Sequence, residues 1–220
     1  MNGSHPQPYP VVPAQEPEDA KVAFRSAIRH QRETRSERRR EDAAEAFAVV
    51  VRAIPEVRAA QTVALYVARP TEPRTTHLMQ DLAVAGKRVL LPVLGAGLQR
   101  EWAEFVDLDD LEPRAPGRPP EPSGTPLGTD ALAMADVVIT PALAVDTSGC
   151  RLGQGGGWYD RALEHVREDV KVLSLVFPEE IYDATTHPLP SEPHDRPVDG
   201  VATSQRWFWF DDEDAAAYVE

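Results

Sequence analysis

Apolar and polar residues alternate in two rhythms along this chain, and the switching between them predicts an α/β fold. Residues 21–40 are helical in composition, with no Gly or Pro, and residues 42–54 form a second helical stretch that ends at Pro55. Residues 61–67 (QTVALYV) then read as a buried strand. Residues 75–85 form a short amphipathic helix closed by Gly86, and residues 88–94 (RVLLPVL) a second strand. A third strand is expected within residues 98–106, carrying Trp102 and Phe105. Residues 136–145 (DVVITPALAV) are the clearest strand, ended or bent by Pro141. After a glycine-rich loop comes a helix over residues 158–167, then strands over 170–177 and 198–204. Strands separated by helices predict βαβ units, hence one domain with a mostly parallel sheet flanked by helices. Ligands of such sheets bind beyond the carboxyl ends of the strands, where the glycine loop falls.

The two ends break this pattern. Residues 1–17 hold five prolines and no apolar period, and are expected to form a disordered tail. Residues 211–220 are acidic and alanine-rich, a second loose extension, which leaves 18–210 as the domain. Of the 220 residues 42% are apolar, enough for a core, so the 21 prolines must sit in loops or tails. Six of them fall in residues 112–128, a loop long enough to suggest a functional role. The formal net charge of −13 argues against a general binder of nucleic acid or anionic membrane. A single cysteine, Cys150, excludes an internal disulfide framework and a cysteine-based zinc site. No apolar run approaches the ~18 residues of a membrane span, and the N-terminus has no apolar export region. The expectation is a soluble cytoplasmic protein.

Chemistry concentrates in residues 146–161 (DTSGCRLGQGGGWYDR). Clustered glycines let backbone N–H groups approach an anion, and a following helix N-terminus would add a positive dipole end. Arg151 could clamp phosphate oxygens, and Asp160 makes sense there if a divalent cation lies between it and phosphate. A tight strand-to-helix turn would explain the same composition without a ligand. The loop lacks the Gly-Lys-Ser/Thr ending of a Walker A motif, and no G-x-G-x-x-G register fits it.

Three other features admit two readings each. Lys21, Arg25, Arg29 and Arg32 share one helical face, which could hold a polyanion such as a triphosphate or simply be solvated. Glu72, directly after the first strand, could grip a substrate amide, or Thr75 could merely cap the next helix. His194-Asp195 lies in a proline-bracketed turn; a metal role for Asp195 would need Asp160 nearby in space.

Together these pieces resemble a known signature. Residues 141–146 (PALAVD) with 149–161 (GCRLGQGGGWYDR) closely resemble the pattern P-G-x-A-F-D-x-x-G-x-R-L-G-x-G-G-G-Y-Y-D-R of the 5-formyltetrahydrofolate cyclo-ligase family. Further matches follow in order: Lys21-x-x-x-Arg25, Tyr66 through Glu72-x-x-Thr75, Leu91-Pro92, Glu121-Pro122, and His194-Asp195 with Asp199. The resemblance spans about residues 20–208.

The resemblance implies a single α/β domain with a Rossmann-like sheet. It also implies ATP- and Mg²⁺-dependent cyclisation of 5-formyltetrahydrofolate, polyglutamylated forms included, to 5,10-methenyltetrahydrofolate, with release of ADP and phosphate. In that reaction the formyl oxygen attacks the γ-phosphate, giving an iminium phosphate; N10 then closes the ring and phosphate leaves. The step needs charge neutralisation more than a general base. Carried over, Lys21 and Arg25 bind ATP phosphates, and Arg151, Leu152, Gly153, Gln154, Gly155, Gly156, Gly157, Trp158 and Tyr159 wrap the nucleotide. Asp160 and Asp195 hold Mg²⁺; Val67 and Glu72 contact the formyl-pterin, and Tyr159 positions the formyl group. Arg151 and Tyr159 would thus be catalytic, in a monomer.

Three departures from the pattern stand out. Val145 replaces a phenylalanine, Trp158 replaces a tyrosine, and residues 117–120 (GRPP) replace an aromatic-Gly-Ile stretch. The last bears on folate recognition, and the alternative it raises is a diverged nucleotide- or phosphate-binding member without folate turnover.

Overall fold

Three neighbouring parallel strands of the main sheet point their carboxyl ends at one cavity. The computed structural model describes residues 7–10, 16–94 and 99–211. Its helices are α1 (Pro17–Glu33), α2 (Glu37–Ala53), α3 (Pro55–Ala59), α4 (Thr76–Val84) and α5 (Trp158–Ala162). The first strands are β1 (Thr62–Ala64), β2 (Arg88–Leu94), β3 (Arg100–Glu104), β4 (Leu111–Glu112), β5 (Glu121–Pro122) and β6 (Val137–Pro141). After them come β7 (Ala144–Asp146), β8 (Arg151–Leu152), β9 (Lys171–Leu175), β10 (Ile181–Tyr182), β11 (Gly200–Ala202) and β12 (Trp207–Trp209).

The seven-stranded sheet has the order β12-β11-β9-β6-β1-β2-β3. Its inner pairings are parallel, and β3 and β12 close the two edges antiparallel. This bears out the expected mostly parallel sheet. Both faces are covered, as parallel sheets require. Along β6, Val137 and Ile139 join Phe47, Val51, Leu78 and Leu82 from α2 and α4, while Val138 faces Trp102, Leu132 and Phe208. A smaller sheet, β10-β7-β8, carries α1 through Phe24 and Ile28, which pack on Leu143, Leu152 and Tyr182.

Several expected boundaries move. The helix expected over residues 21–40 breaks at Thr34, and α2 starts at Glu37, because the Ser36 hydroxyl accepts from the Arg39 N–H at 3.4 Å and caps a new helix. Of residues 61–67 only Thr62–Ala64 pair as strand, since the chain turns away towards the cavity. Residues 98–106 yield β3, although residues 95–98 lie outside the described residues. The strand expected over 136–145 splits into β6 and β7, on different sheets, with the break just after Pro141. The helix expected over 158–167 is only five residues of α5 continued by a 3-10 turn at Leu163–His165. Its dipole therefore adds little to anion binding. Residues 112–128 are not wholly irregular, because β4 pairs with β5.

At the N-terminus, residues 7–10 lie against the body within the stretch expected to be a tail. The Tyr9 ring meets Phe24 at 5.2 Å and His187 at 4.4 Å, and the Tyr182 hydroxyl donates to Pro8 O at 2.6 Å. Residues 1–6, 11–15 and 212–220 lie outside the described residues. Among the described residues no helix is long and apolar enough to cross a membrane.

Candidate active site

Beyond the carboxyl ends of β1, β2 and β6 lies a cavity of about 920 Å³, roofed by the glycine loop. Each site residue that the family resemblance implies lines it: Lys21 and Arg25 from α1, Val67 and Glu72 after β1, residues 151–160, and Asp195. The chain folds so because β7 and β8 form a short hairpin that turns residues 153–157 back over the sheet.

At one end, α1 offers cations that the protein already engages. Lys21 is 3% exposed, and its ammonium lies 2.6 Å from Asp195 and 2.7 Å from Glu192. Burial alone would lower the Lys21 pKa, but hydrogen bonds to both carboxylates outweigh it and leave it raised. Asp195 is lowered by the same contact and by the Glu192 N–H, against burial. Arg25 donates to Gly153 O at 3.2 Å and pairs with Glu18 at 2.8 Å. Its guanidinium lies over Gly155, where φ is +98° and an added Cβ would come within 3.3 Å of Arg25 Cζ.

The stripe on α1 is therefore neither a solvated face nor a continuous polyanion clamp. Arg29 braces the loop, donating to Gln154 Oε1 at 3.0 Å and to Gln154 O at 2.8 Å. Arg32 is wholly buried, held by Glu180 at 2.7 Å and by Ala142 O, and does not line the cavity. Only Lys21 and Arg25 reach the cavity.

Glu72, 4% exposed, also lines the cavity. It accepts from the Gln154 side-chain amide at 3.0 Å and from the Arg69 N–H at 2.9 Å. Beside it the Tyr66 hydroxyl is committed to Pro73 O at 2.7 Å. Glu72 is thus not an exposed residue next to a helix cap: Thr75 donates to Tyr66 O at 2.6 Å and makes no side-chain cap.

Arg151 donates to Asp160 at 2.6 Å, and the Arg196 N–H reaches the same oxygen at 3.3 Å. Asp160 therefore lies against the residue that follows Asp195, the proximity a shared cation would need. Asp160 Oδ2 has no partner among the described residues, and Asp195 Oδ1 meets only the His194 ring, at 3.8 Å. Among the described residues no group of three or more His, Cys, Asp or Glu side chains could hold a metal. A Mg²⁺ ion would fit as it usually does, on one or two carboxylates completed by phosphate and water.

Among the buried polar atoms without partners in this region are the Tyr159 hydroxyl and Arg151 Nε. Burial, and then the charge of Glu72, push the Tyr159 pKa well up, so it stays a neutral donor. Unsatisfied buried donors facing a cavity are the complement of a ligand with acceptor oxygens. Cys150 is a bystander: burial, then Asp146 and Asp195, push its thiol up to about 12. Sequence reasoning missed Glu192, whose signal was only its place three residues before Asp195, and the side-chain role of Gln154.

A family model described as the 5-formyltetrahydrofolate cyclo-ligase family matches residues 17–204. The chain is 37% identical to a 5-formyltetrahydrofolate cyclo-ligase of Mycolicibacterium smegmatis, covering 66% of this chain and 75% of that one. It is 32% identical to the enzyme of that name from Escherichia coli K12, covering 83% of this chain and 100% of that one. The structure is similar to the 5,10-methenyltetrahydrofolate synthetase of Aquifex aeolicus, with a TM-score of 0.74 and 26% identity over 87% of this chain and 93% of that one.

Proposed function

We propose that this chain, which belongs to the 5-formyltetrahydrofolate cyclo-ligase family, closes the folate ring by holding ATP on the glycine loop and the formyl-pterin against Glu72. Its activity is that of a 5-formyltetrahydrofolate cyclo-ligase, an ATP-dependent ligase of one-carbon metabolism. One observation supports the residue roles above all. Lys21, Arg25, Val67, Glu72, Arg151, Tyr159, Asp160 and Asp195 come from separate stretches of chain yet line one cavity.

A formamide oxygen is a poor leaving group until it is phosphorylated, so the site's task is to bring that oxygen to the γ-phosphate and neutralise charge. Lys21 and Arg25 hold the phosphates, and the N–H groups of residues 152–158 donate to their oxygens. Arg151, its Nε free inside the cavity wall, stabilises the charge that develops in transfer. Glu72 accepts from the pterin N–H groups, Val67 packs beside the ring, and the Tyr159 hydroxyl donates to the formyl oxygen and aims it. Asp160 and Asp195 would hold Mg²⁺, which when bound draws negative charge off the transferring phosphoryl group. Transfer of the phosphoryl group to the formyl oxygen releases ADP; N10 then attacks the formyl carbon, and its proton departs with the inorganic phosphate as the C–O bond breaks.

This reading has the enzyme acting as a monomer in the cytoplasm, where the lone Cys150 remains a thiol. The test is to mix the protein with 5-formyltetrahydrofolate, ATP and Mg²⁺ and follow the near-ultraviolet absorbance of the methenyl product. A rise that needs both ATP and metal is expected. No rise, with ATP still bound, would overturn folate turnover in favour of a nucleotide-binding role.

A further inference from the structure

Glu192 does not line the cavity, yet it is bound to Lys21, which does. The Lys21 ammonium is buried and lies 2.7 Å from Glu192 and 2.6 Å from Asp195. An ammonium has three N–H donors. Two of those on Lys21 go to these carboxylates, which leaves one for a ligand oxygen.

A turn at residues 192–195 fixes this arrangement. The Glu192 N–H donates to Asp195 Oδ2 at 2.7 Å, and the Asp195 N–H donates to Glu192 O at 3.0 Å. One short piece of backbone therefore delivers both side chains to Lys21. Asp195 has a reason to be there as a candidate metal ligand; Glu192 supplies a second carboxylate that this role does not require.

Charge makes the consequence specific. One ammonium faces two carboxylates, so the group is negative before any phosphate arrives. The neighbouring guanidiniums do not offset it, because Arg25 is paired with Glu18 at 2.8 Å and Arg151 with Asp160 at 2.6 Å. The exposed His194 ring, 4.0 Å from Glu192 and 3.8 Å from Asp195, adds charge only when protonated. An incoming polyanion is repelled by the excess in proportion to its own charge. Free ATP is more negative than its complex with Mg²⁺, so the excess disfavours the free nucleotide more.

We propose that Glu192 makes the site discriminate against metal-free ATP. It is a positioning residue that acts through Lys21, holding the ammonium against the turn and leaving a negative charge that a nucleotide bringing its own cation offsets. The proposal rests on the nucleotide reading above.

The test is equilibrium binding of ATP by calorimetry, once in EDTA and once with excess Mg²⁺. Ionic strength is matched, and the pH is about 8, where an exposed imidazole is neutral. Wild type should bind the Mg²⁺ complex more tightly. Glu192→Gln keeps the shape and removes the charge. It should tighten metal-free ATP by roughly tenfold and the Mg²⁺ complex by only about threefold, since the complex feels the lost charge less. Glu192→Asp keeps the charge and should retain the wild-type preference. The Glu192 side chain is 28% exposed, so both substitutions leave the core untouched.

Weaker binding of the Mg²⁺ complex by Glu192→Gln, with metal-free binding unchanged, would make Glu192 a metal ligand and overturn the proposal. The same preference in all three proteins would reduce Glu192 to a tie between its turn and α1, and would overturn it equally. Where wild type also forms the methenyl product, either result sinks this inference alone. A wild type that binds no nucleotide in either condition would remove the proposed function together with it.

Discussion

The Gln154 side-chain amide donates to Glu72 Oε1 at 3.0 Å while its carbonyl oxygen accepts from Arg29, so the glycine loop and the carboxylate after β1 are fixed to each other. Arg29 determines which way the amide points, and the amide determines where Glu72 sits. Replacing Gln154 by Glu sets two carboxylates against each other and removes the donor. We expect Gln154→Glu to raise KM for 5-formyltetrahydrofolate by roughly tenfold and Gln154→Ala by only a few-fold, with kcat less affected in both. Steady-state kinetics at saturating ATP measures this; an unchanged KM in both variants would separate Glu72 from the loop.

Asp160 is both the partner of Arg151 and a candidate metal ligand, and two substitutions tell these roles apart. Asp160→Ala should cost on the order of a hundredfold or more in kcat, with the circular dichroism of the fold retained. Asp160→Asn keeps an acceptor for Arg151 but loses the charge, so it should demand more Mg²⁺ for half-maximal activity. Identical Mg²⁺ titrations for Asp160→Asn and wild type would remove the metal role.

Lys21 and Asp195 make a pH prediction whose sign follows from both partners. The Asp195 pKa is below its ordinary 3.8, so its contribution to stability is present above that value and is lost as pH falls through the lowered one. The Lys21 pKa is above its ordinary 10.5, so its contribution is present below that value and is lost as pH rises through the raised one. Denaturant unfolding of Lys21→Met should therefore show the same deficit against wild type from about pH 5 to about pH 9, shrinking in acid and again in strong alkali. A deficit that varies across the neutral range would mean that another group governs the contact.

Two glycines of the loop region should separate fold from ligand. At Gly149, φ is +86° and an added Cβ would lie 2.6 Å from the Val198 carbonyl, itself fixed because the Val198 N–H bonds back to Gly149 O. Gly149→Ala should lower stability by about 2 kcal/mol or more, roughly 5 °C in Tm. At Gly156 an added Cβ meets nothing within 4 Å. Gly156→Ala should leave Tm unchanged and raise KM for ATP, if the backbone there lies close to phosphate. Thermal melts and ATP titrations of the two variants check this directly.

Much of this was legible in residue order, and what was not has identifiable physical causes. β2 was readable to the residue because its apolar run is continuous and bounded by Lys87 and a glycine. The glycine loop was readable because its chemistry is local. The inward turn of α1 was not, since Arg32 finds Glu180 and Arg29 finds Gln154 more than a hundred positions away, and nothing near either arginine announces the partner. β12 was missed for another reason. Trp207–Trp209 is three residues long and exists as a strand only because β11 offers an edge to pair with.

The inward turn of α1 also affects how substrates arrive. With several of its arginines and its lysine engaged inside, the molecule presents a formal charge of −13 to two polyanionic reactants. Long-range attraction cannot guide them in; each must cross a repulsive field before any cation in the cavity is felt. Screening ions shorten that field to about 10 Å at 0.1 M. Moderate salt should then speed the encounter between enzyme and folate, the reverse of what a basic cavity alone would suggest.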